Sequence, residues 1–117
     1  MGDVEVKLYG LKNCDTCKKA MKALDAAGQE YAFIDIRAEA DLAALAPVWL
    51  KRVDAGKLIN TRSTTWRQLA DADRARAGED PAAVLAANPT LVKRPVIERG
   101  DEVFVGWTKD VQLALGI

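Results

Sequence analysis

The chain of 117 residues has the length of one domain, and a chain of this size can bury a substantial core. Half of its residues are hydrophobic and 29% are charged, with 17 Lys and Arg residues balancing 17 Asp and Glu residues. This is the composition of an ordinary globular protein, and a net charge of zero gives no argument for nucleic acid or membrane as a partner. We therefore expect no nucleic acid, no membrane and a monomer.

Histidine is absent, which excludes Cys-His and Ser-His nucleophilic sites and every His-ligated metal. The two cysteines cannot complete a four-ligand zinc site by themselves, so we predict no metal centre. The start of the chain lacks the basic residues and apolar run of a signal peptide. No segment approaches the roughly 18 apolar residues of a membrane span. We therefore expect the protein in the cytoplasm.

The first third of the chain predicts a βαβ unit. Residues 4–9 alternate apolar and polar side chains and predict a strand, followed by a loop over residues 10–13. Apolar residues recur at helical spacing from about Asp15, and Gly28 is a typical helix stop. Residues 31–36 predict a second strand, so the two strands should be parallel with a right-handed crossover.

The middle of the chain predicts helices. A second helix lies within residues 41–55, and Pro47 inside it predicts a break or a new first turn. Asp80 and Pro81 form a good N-cap and first position for a short helix that ends before Asn88.

The last quarter predicts a hairpin and a final helix. Residues 95–98 and 102–106 predict two strands joined by a turn over residues 99–101. Thr108 caps a helix that ends near Gly116. The complete order predicts a thioredoxin-like α/β fold, with a mixed four-stranded sheet and helices on both faces.

Cys14 and Cys17 form a Cys-x-x-Cys motif where the first strand ends and the first helix begins. Unpaired backbone N–H groups in the first turn of a helix favour a thiolate at Cys14. The spacing places Cys17 one turn along on the same face, within disulfide range. Asp15 opposes ionisation of the pair. Three lysines add positive charge around it: Lys12, Lys18 and Lys19.

The motif has alternative interpretations, namely two ordinary buried cysteines or the remnant of a metal site. In a cytosolic βαβ unit the redox interpretation is favoured. Cys14 lies nearer the exposed helix end and is the predicted nucleophile. Cys17 follows inside the helix and is a candidate thiol for resolving a mixed disulfide or a sulfenate.

Two polar runs, residues 60–67 and 90–95, contain further candidates. Each run alone is more typical of helix capping and surface than of function. Arginine nevertheless binds oxyanions through a bidentate fork and supplies a cation to a thiolate in a chain without histidine. Pro95 opens a strand. In a thioredoxin-like sheet a proline at this position faces the cysteine loop, so we expect a cis Arg94–Pro95 bond here with a frequency well above the base rate of about 5–6% for X-Pro bonds.

Taken in order, these motifs resemble the glutaredoxin-coupled arsenate reductase (ArsC) family, most closely its YffB-like branch of glutathione-dependent thiol reductases. The matching segments span most of the chain: residues 8–10, 13–20, 58–62, 64–67, 88–89 and 93–96. The resemblance implies a single thioredoxin-like domain over residues 1–117 with a helical insertion at about 42–89.

The resemblance also implies roles for individual residues. Cys14 matches the catalytic cysteine, and Arg62 and Arg94 match two arginines that bind the oxyanion and stabilise the thiolate. Pro95 matches the cis proline. Further substrate contacts are implied beside the cysteine: Lys12, Asn13 and Thr16. The implied substrate is a small oxyanion or a mixed disulfide. Glutathione is the co-substrate that resolves the adduct, glutaredoxin recycles the enzyme, and no bound cofactor is implied.

Two departures from the family pattern bear on the substrate. Arsenate reductases carry a third arginine on the last strand, where this chain has Gly106. The missing oxyanion ligand favours a glutathione or protein-thiol substrate over arsenate. Those enzymes also need only one cysteine, whereas Cys17 is shared with Spx-type regulators, which bind RNA polymerase and use Cys-x-x-Cys as a redox switch.

Three hypotheses follow. The first is a thiol-dependent oxidoreductase coupled to glutathione, which the Thr-Thr-Trp-Arg run at residues 64–67 favours. The second is a redox-sensing transcription regulator that binds RNA polymerase. The third is a fold relic without turnover.

Overall fold

The computed structural model describes residues 5–117. Val4, the first residue of the predicted first strand, lies outside the described residues, as does the start of the chain on which the expectation of no signal peptide rests. The described chain forms two compact units, residues 5–35 with 94–117 and residues 36–93. Among residues 5–117, no helix has both the length and the apolar character needed to cross a membrane.

The first unit is built on a four-stranded sheet. Its strands are β1 (Val6–Gly10), β2 (Ala32–Asp35), β3 (Val96–Arg99) and β4 (Glu102–Val105), in the order β2-β1-β3-β4. β1 runs parallel to β2 and antiparallel to β3, and β3 and β4 are antiparallel. The predicted βαβ unit and hairpin are confirmed with boundaries shifted by one or two residues. This is a thioredoxin-like α/β fold with a mixed sheet and flanking helices, as predicted.

Besides a short 3₁₀ helix over Pro89–Leu91, seven α-helices are present in the described residues. They are α1 (Asp15–Ala26), α2 (Leu42–Leu50), α3 (Ala55–Leu58), α4 (Thr64–Gln68), α5 (Asp71–Glu79), α6 (Pro81–Ala87) and α7 (Lys109–Ala114). α1 and α7 belong to the first unit and pack on the same face of the sheet. The shared core consists of Val6, Leu8, Ala20, Leu24, Ile97, Val111 and Leu115.

The ends of α1 follow from its sequence. Cys14 is the N-cap residue, and the helix ends before Gly28, whose φ of 72° lies in the left-handed region. The N–H of Gly28 donates to the carbonyl of Asp25, and the N–H of Gln29 donates to that of Leu24. This pair of hydrogen bonds is a Schellman motif, which confirms the predicted stop at Gly28.

The predicted final helix is also confirmed. The hydroxyl of Thr108 accepts a 3.3 Å hydrogen bond from the N–H of Val111, which caps α7. Gly100, in the turn between β3 and β4, has a φ of 60°, a conformation that glycine adopts without strain.

The second unit is helical, and the predicted insertion at 42–89 lies within it. α6 packs against α2 and α5. The Asp80 carboxylate accepts from the N–H of Ala83, and Pro81 is the first helical residue, so the predicted start of α6 is confirmed. The largest fully buried side chains of this unit are Trp49, Ile36, Leu58, Leu85, Leu91 and Val92.

Pro47 neither breaks α2 nor begins a new helix, contrary to the prediction. The helix continues through it from Leu42 to Leu50. Proline inside a helix removes one hydrogen bond and costs about 3 kcal/mol. Burial of Leu42, Ala46 and Trp49 on one side of α2 offsets this cost, while Pro47 itself faces solvent.

Candidate active site

Cys14 occupies the junction between the loop after β1 and the first turn of α1. Its backbone is extended, with φ −95° and ψ 120°, as is typical of an N-cap residue. Its N–H donates to the carbonyl of Leu11 at 3.2 Å, and its own carbonyl accepts from the N–H of Lys18 at 2.9 Å. The predicted placement of Cys14 just before the first helical turn is confirmed, so the partly positive helix end lies beside its sulfur.

Three donors stabilise a negative charge on the Cys14 sulfur. The side chain of Cys14 accepts no N-cap hydrogen bond from a backbone N–H. Burial alone would raise the pKa of Cys14. The N–H of Cys17 at the start of the helix favours the thiolate, the thiol of Cys17 and the guanidinium of Arg94 donate hydrogen bonds to the sulfur, and the charge of Arg94 adds to them. Together these interactions hold the pKa of Cys14 below its ordinary value.

Cys17 has the opposite character. It is fully buried, whereas Cys14 is partly exposed, and the two are free thiols. Burial raises the pKa of Cys17 to about 12, although the N–H of Leu11 donates to its sulfur and works in the other direction. The thiolate of Cys14 raises the pKa of Cys17 further, while Arg94 lowers it. The pair therefore favours a thiolate on Cys14 and a protonated thiol on Cys17.

The antiparallel pairing of β1 with β3 brings Arg94 to this site. Tyr9 pairs with Val96, so the residues after β1 lie beside the residues before β3. The Nε atom of Arg94 is buried there. The Arg94–Pro95 peptide bond is cis, as the family resemblance implies.

Gly10 and Leu11 contribute to the site and were not among the predicted site residues. Gly10 is the last residue of β1, not part of the loop as predicted. A Cβ added to Gly10 would lie 2.5 Å from the Cys17 sulfur. A glycine at the end of a strand often marks such a close approach, and this signal was present in the sequence.

The other predicted residues near the motif are exposed. Lys12, Asn13 and Thr16 flank Cys14 in the chain and face solvent, as do Lys18 and Lys19. The positive charge that lowers the pKa of Cys14 is that of Arg94. Substrate binding by Lys12, Asn13 and Thr16 stays a prediction.

Arg62 belongs to the second unit, where it is exposed in the turn before α4. Its N–H donates to the side-chain oxygen of Asn60 at 3.1 Å. The neighbouring hydroxyl of Ser63 accepts from the N–H of Trp66 and caps α4. Part of this polar run therefore has the capping role expected of it, and oxyanion binding by Arg62 stays a prediction.

Gly106 lies where the family resemblance implies that a third arginine is missing, and its backbone is in the left-handed region. Its φ of 82° is strained for any residue with a side chain. Its N–H donates to the carbonyl of Pro95 at 2.8 Å, which joins the end of β4 to the cis proline. Glycine, which stands where the family resemblance implies an arginine, fits this local backbone geometry without strain.

A shallow depression of about 760 Å³ lies at the other end of β1. Its lining includes Glu5, Gly28, Tyr31 and Arg99, none of which contributes to the cysteine site. The described residues contain no cluster of three or more Cys, Asp or Glu side chains arranged to hold a metal ion.

A thioredoxin-like sheet with an activated cysteine at its first helix is typical of thiol-based redox proteins. The chain belongs to the ArsC family, whose model matches residues 9–115. An uncharacterised protein of Haemophilus influenzae is 38% identical over 112 residues, covering 93% of this chain and 97% of that protein.

Solved structures agree with this assignment. A protein named YFFB is 35% identical with a TM-score of 0.82, covering 93% of this chain and 96% of that one. An arsenate reductase (ArsC) related protein from Brucella melitensis is 34% identical with a TM-score of 0.75, covering 100% and 99%. At the level of the family, these relationships support a thiol-dependent reductase.

Proposed function

We propose that this protein is a glutathione-dependent thiol reductase in which Cys14 is the nucleophile. The observation that carries the proposal is the Cys14 sulfur at the start of α1, where Cys17 and Arg94 both donate hydrogen bonds to it. A thiolate, not a thiol, attacks disulfides and oxyanions. This arrangement favours the thiolate of Cys14 over its thiol without a histidine.

The reaction is two successive thiol–disulfide exchanges. The Cys14 thiolate attacks the glutathione sulfur of a mixed disulfide, forming a Cys14–glutathione disulfide and releasing the substrate as a thiolate, which takes up a proton. A second glutathione, as its thiolate, then attacks the glutathione sulfur of this intermediate. Glutathione disulfide leaves and the Cys14 thiolate is restored. In the net reaction the substrate sulfur is reduced to a thiol and the sulfur of the second glutathione is oxidised, while the glutathione that the substrate carried stays at the disulfide level.

A glutathione-containing substrate fits the charges better than arsenate does. Gly106 stands where arsenate reductases of the family carry a third arginine, and its positive φ disfavours any side chain there. We propose that Arg62 and Arg94 instead bind carboxylates of glutathione, since guanidinium groups hold carboxylates through paired hydrogen bonds. Glutaredoxin is the proposed alternative to free glutathione for reducing the Cys14–glutathione disulfide in a reducing cytoplasm, with the chain acting as a single-domain monomer.

The test is a coupled assay in which glutathione disulfide formation is followed with a glutathionylated peptide as substrate. Cys14→Ser should abolish turnover, and full activity in this variant would end the proposal. Cys17→Ser is the matched control: it should retain most of the activity if glutathione, not Cys17, resolves the intermediate. Arsenate replaces the peptide in a parallel assay, and faster turnover with arsenate would reverse the proposed substrate preference.

One observation favours a second candidate, the redox-switched regulator. The Cys17 thiol hydrogen-bonds to Cys14, so a two-electron oxidant could join the sulfurs without large movement of the chain. A regulator of this kind should bind the RNA polymerase α subunit in one redox state only. Retention of that subunit by the oxidised wild type but not by Cys17→Ser would support it, and equal binding by both proteins would reject it.

A further inference from the structure

Gly10 leaves a space that the Cys17 sulfur fills. A Cβ at position 10 would lie 2.5 Å from Sγ and 3.3 Å from Cβ of Cys17. Non-bonded carbon atoms prefer about 3.5–4.0 Å, and sulfur is larger than carbon. Cys17 has no exposed surface, so its sulfur cannot move into solvent to relieve such a contact.

The groups around the Cys17 sulfur hold it from two sides. On the strand side it lies against Gly10, and the N–H of Leu11 donates to it. On the other side its thiol donates to the sulfur of Cys14. The end of β1 and the first turn of α1 therefore meet at this atom.

We propose that Gly10 is a positioning residue: the absence of a side chain there seats the Cys17 sulfur so that its thiol points at Cys14. This inference rests on the proposed function only in taking Cys14 as the reacting thiolate. It assigns Cys17 the role of a buried hydrogen-bond donor and leaves resolution of the mixed disulfide to an external thiol.

A methyl group at position 10 has a specific consequence. It displaces the sulfur, the first turn of α1 or the end of β1, and each displacement alters the Cys17–Cys14 hydrogen bond. The charged and titratable groups that act on Cys14 are Cys17 on α1 and Arg94 before β3. Because Gly10→Ala leaves Arg94 unchanged, it should remove only the part of the thiolate stabilisation that Cys17 supplies.

The experiment is a mutant cycle on the pKa of Cys14. Ultraviolet absorbance of the thiolate and alkylation by iodoacetamide, located by fragmentation mass spectrometry, are followed against pH in the wild type, Gly10→Ala, Cys17→Ala and the double variant. Gly78→Ala in α5 is the matched control, because a Cβ there meets no atom within 4 Å.

We expect Gly10→Ala and Cys17→Ala each to raise the pKa of Cys14, and the double variant to match Cys17→Ala alone. Below the pKa, each unit of increase slows alkylation about tenfold. Alanine at position 17 removes the 2.5 Å contact with the sulfur and leaves only the milder 3.3 Å contact with its Cβ, so the double variant should fold even where Gly10→Ala does not. That rescue would support the proposal.

Two outcomes would overturn it. One is a folded Gly10→Ala protein with the wild-type pKa of Cys14. The other is a Gly10→Ala effect, on pKa or on folding, that persists undiminished in the Cys17→Ala background. None of these measurements depends on turnover. If the protein lacks reductase activity but its variants show the expected pKa values of Cys14, the proposed function is wrong and the positioning role of Gly10 still holds.

Discussion

The guanidinium of Arg94 donates a hydrogen bond to the sulfur of Cys14, although the two residues lie far apart in the chain. The contact exists because β1 and β3 are adjacent and antiparallel, with Tyr9 paired to Val96. The loop after β1 and the segment before β3 therefore meet at the same end of the sheet. In a chain without histidine, this arginine provides the permanent positive charge beside the thiolate.

Replacing Arg94 should raise the pKa of Cys14, because the hydrogen bond and the charge are both removed. Arg94→Ala should slow alkylation of Cys14 below neutral pH and weaken binding of the anionic substrate. Arg94→Lys should recover only part of both, because an ammonium group lacks the planar fork of guanidinium. The measurement is the pH dependence of alkylation together with the KM for the glutathionylated peptide.

Arg99→Ala is the control for this prediction. Arg99 lies on β3 in the same unit, but its guanidinium pairs with Glu102 at 2.8 Å and lies over the ring of Phe104. Its removal should leave the Cys14 titration unchanged. An unchanged titration in Arg94→Ala itself would show that Arg94 does not act on the thiolate.

Cys17 should make the protein less stable at alkaline pH. Its pKa is about 12 in the folded chain and about 8.5 in an unfolded one. Between these values the unfolded chain binds fewer protons, so the free energy of unfolding falls as pH rises above about 8.5. The loss should reach about 1 kcal/mol by pH 9.5. Denaturant unfolding at several pH values measures it.

Cys17→Ser isolates this effect, because serine keeps a hydroxyl donor but does not ionise in the range. Between pH 8 and 9.5 the free energy of unfolding should therefore fall more in the wild type than in Cys17→Ser. Parallel curves over that range would contradict a strongly raised pKa for Cys17.

Leu24 should be one of the costliest core positions of the first unit to truncate. It is fully buried in the cluster that joins α1 to the sheet, with Leu8 and Ile97. Leu24→Ala should lower the free energy of unfolding by about 2–5 kcal/mol. Leu113→Ala on α7 should change it by less than about 0.5 kcal/mol, because Leu113 is 68% exposed. Similar losses in the two variants by denaturant unfolding would contradict the packing described here.

Asp80 should stabilise α6 as its N-cap. Its carboxylate accepts from the N–H of Ala83 at 3.3 Å. Asp80→Ala should lower the free energy of unfolding by about 1 kcal/mol, and Asp80→Asn should lower it much less, because asparagine caps equally well. Equal losses in Asp80→Ala and Asp80→Asn would point to the charge of Asp80 and not to its capping hydrogen bond.

The sequence did not reveal every helix of the second unit. α4 buries no residue and α5 buries only Ala77, so neither produces the apolar periodicity from which helices are predicted. Pro47 predicted an interruption of α2 that tertiary burial of its apolar side overrides. In both cases packing, which local patterns do not record, decides the secondary structure.

Local patterns alone were sufficient for the βαβ unit, the hairpin and the helix ends at Cys14, Gly28, Asp80 and Thr108, because strand alternation and capping depend on near neighbours in the chain. The tertiary structure alone decided what surrounds the thiols. Contact of Arg94 with Cys14 requires the antiparallel pairing of β1 with β3, and contact of Gly10 with Cys17 requires α1 to lie on one face of the sheet. A short motif can therefore predict the reacting sulfur and the thiol of Cys17 beside it, but the positive charge of Arg94 reaches the site only because β1 and β3, which are distant in sequence, pair in the sheet.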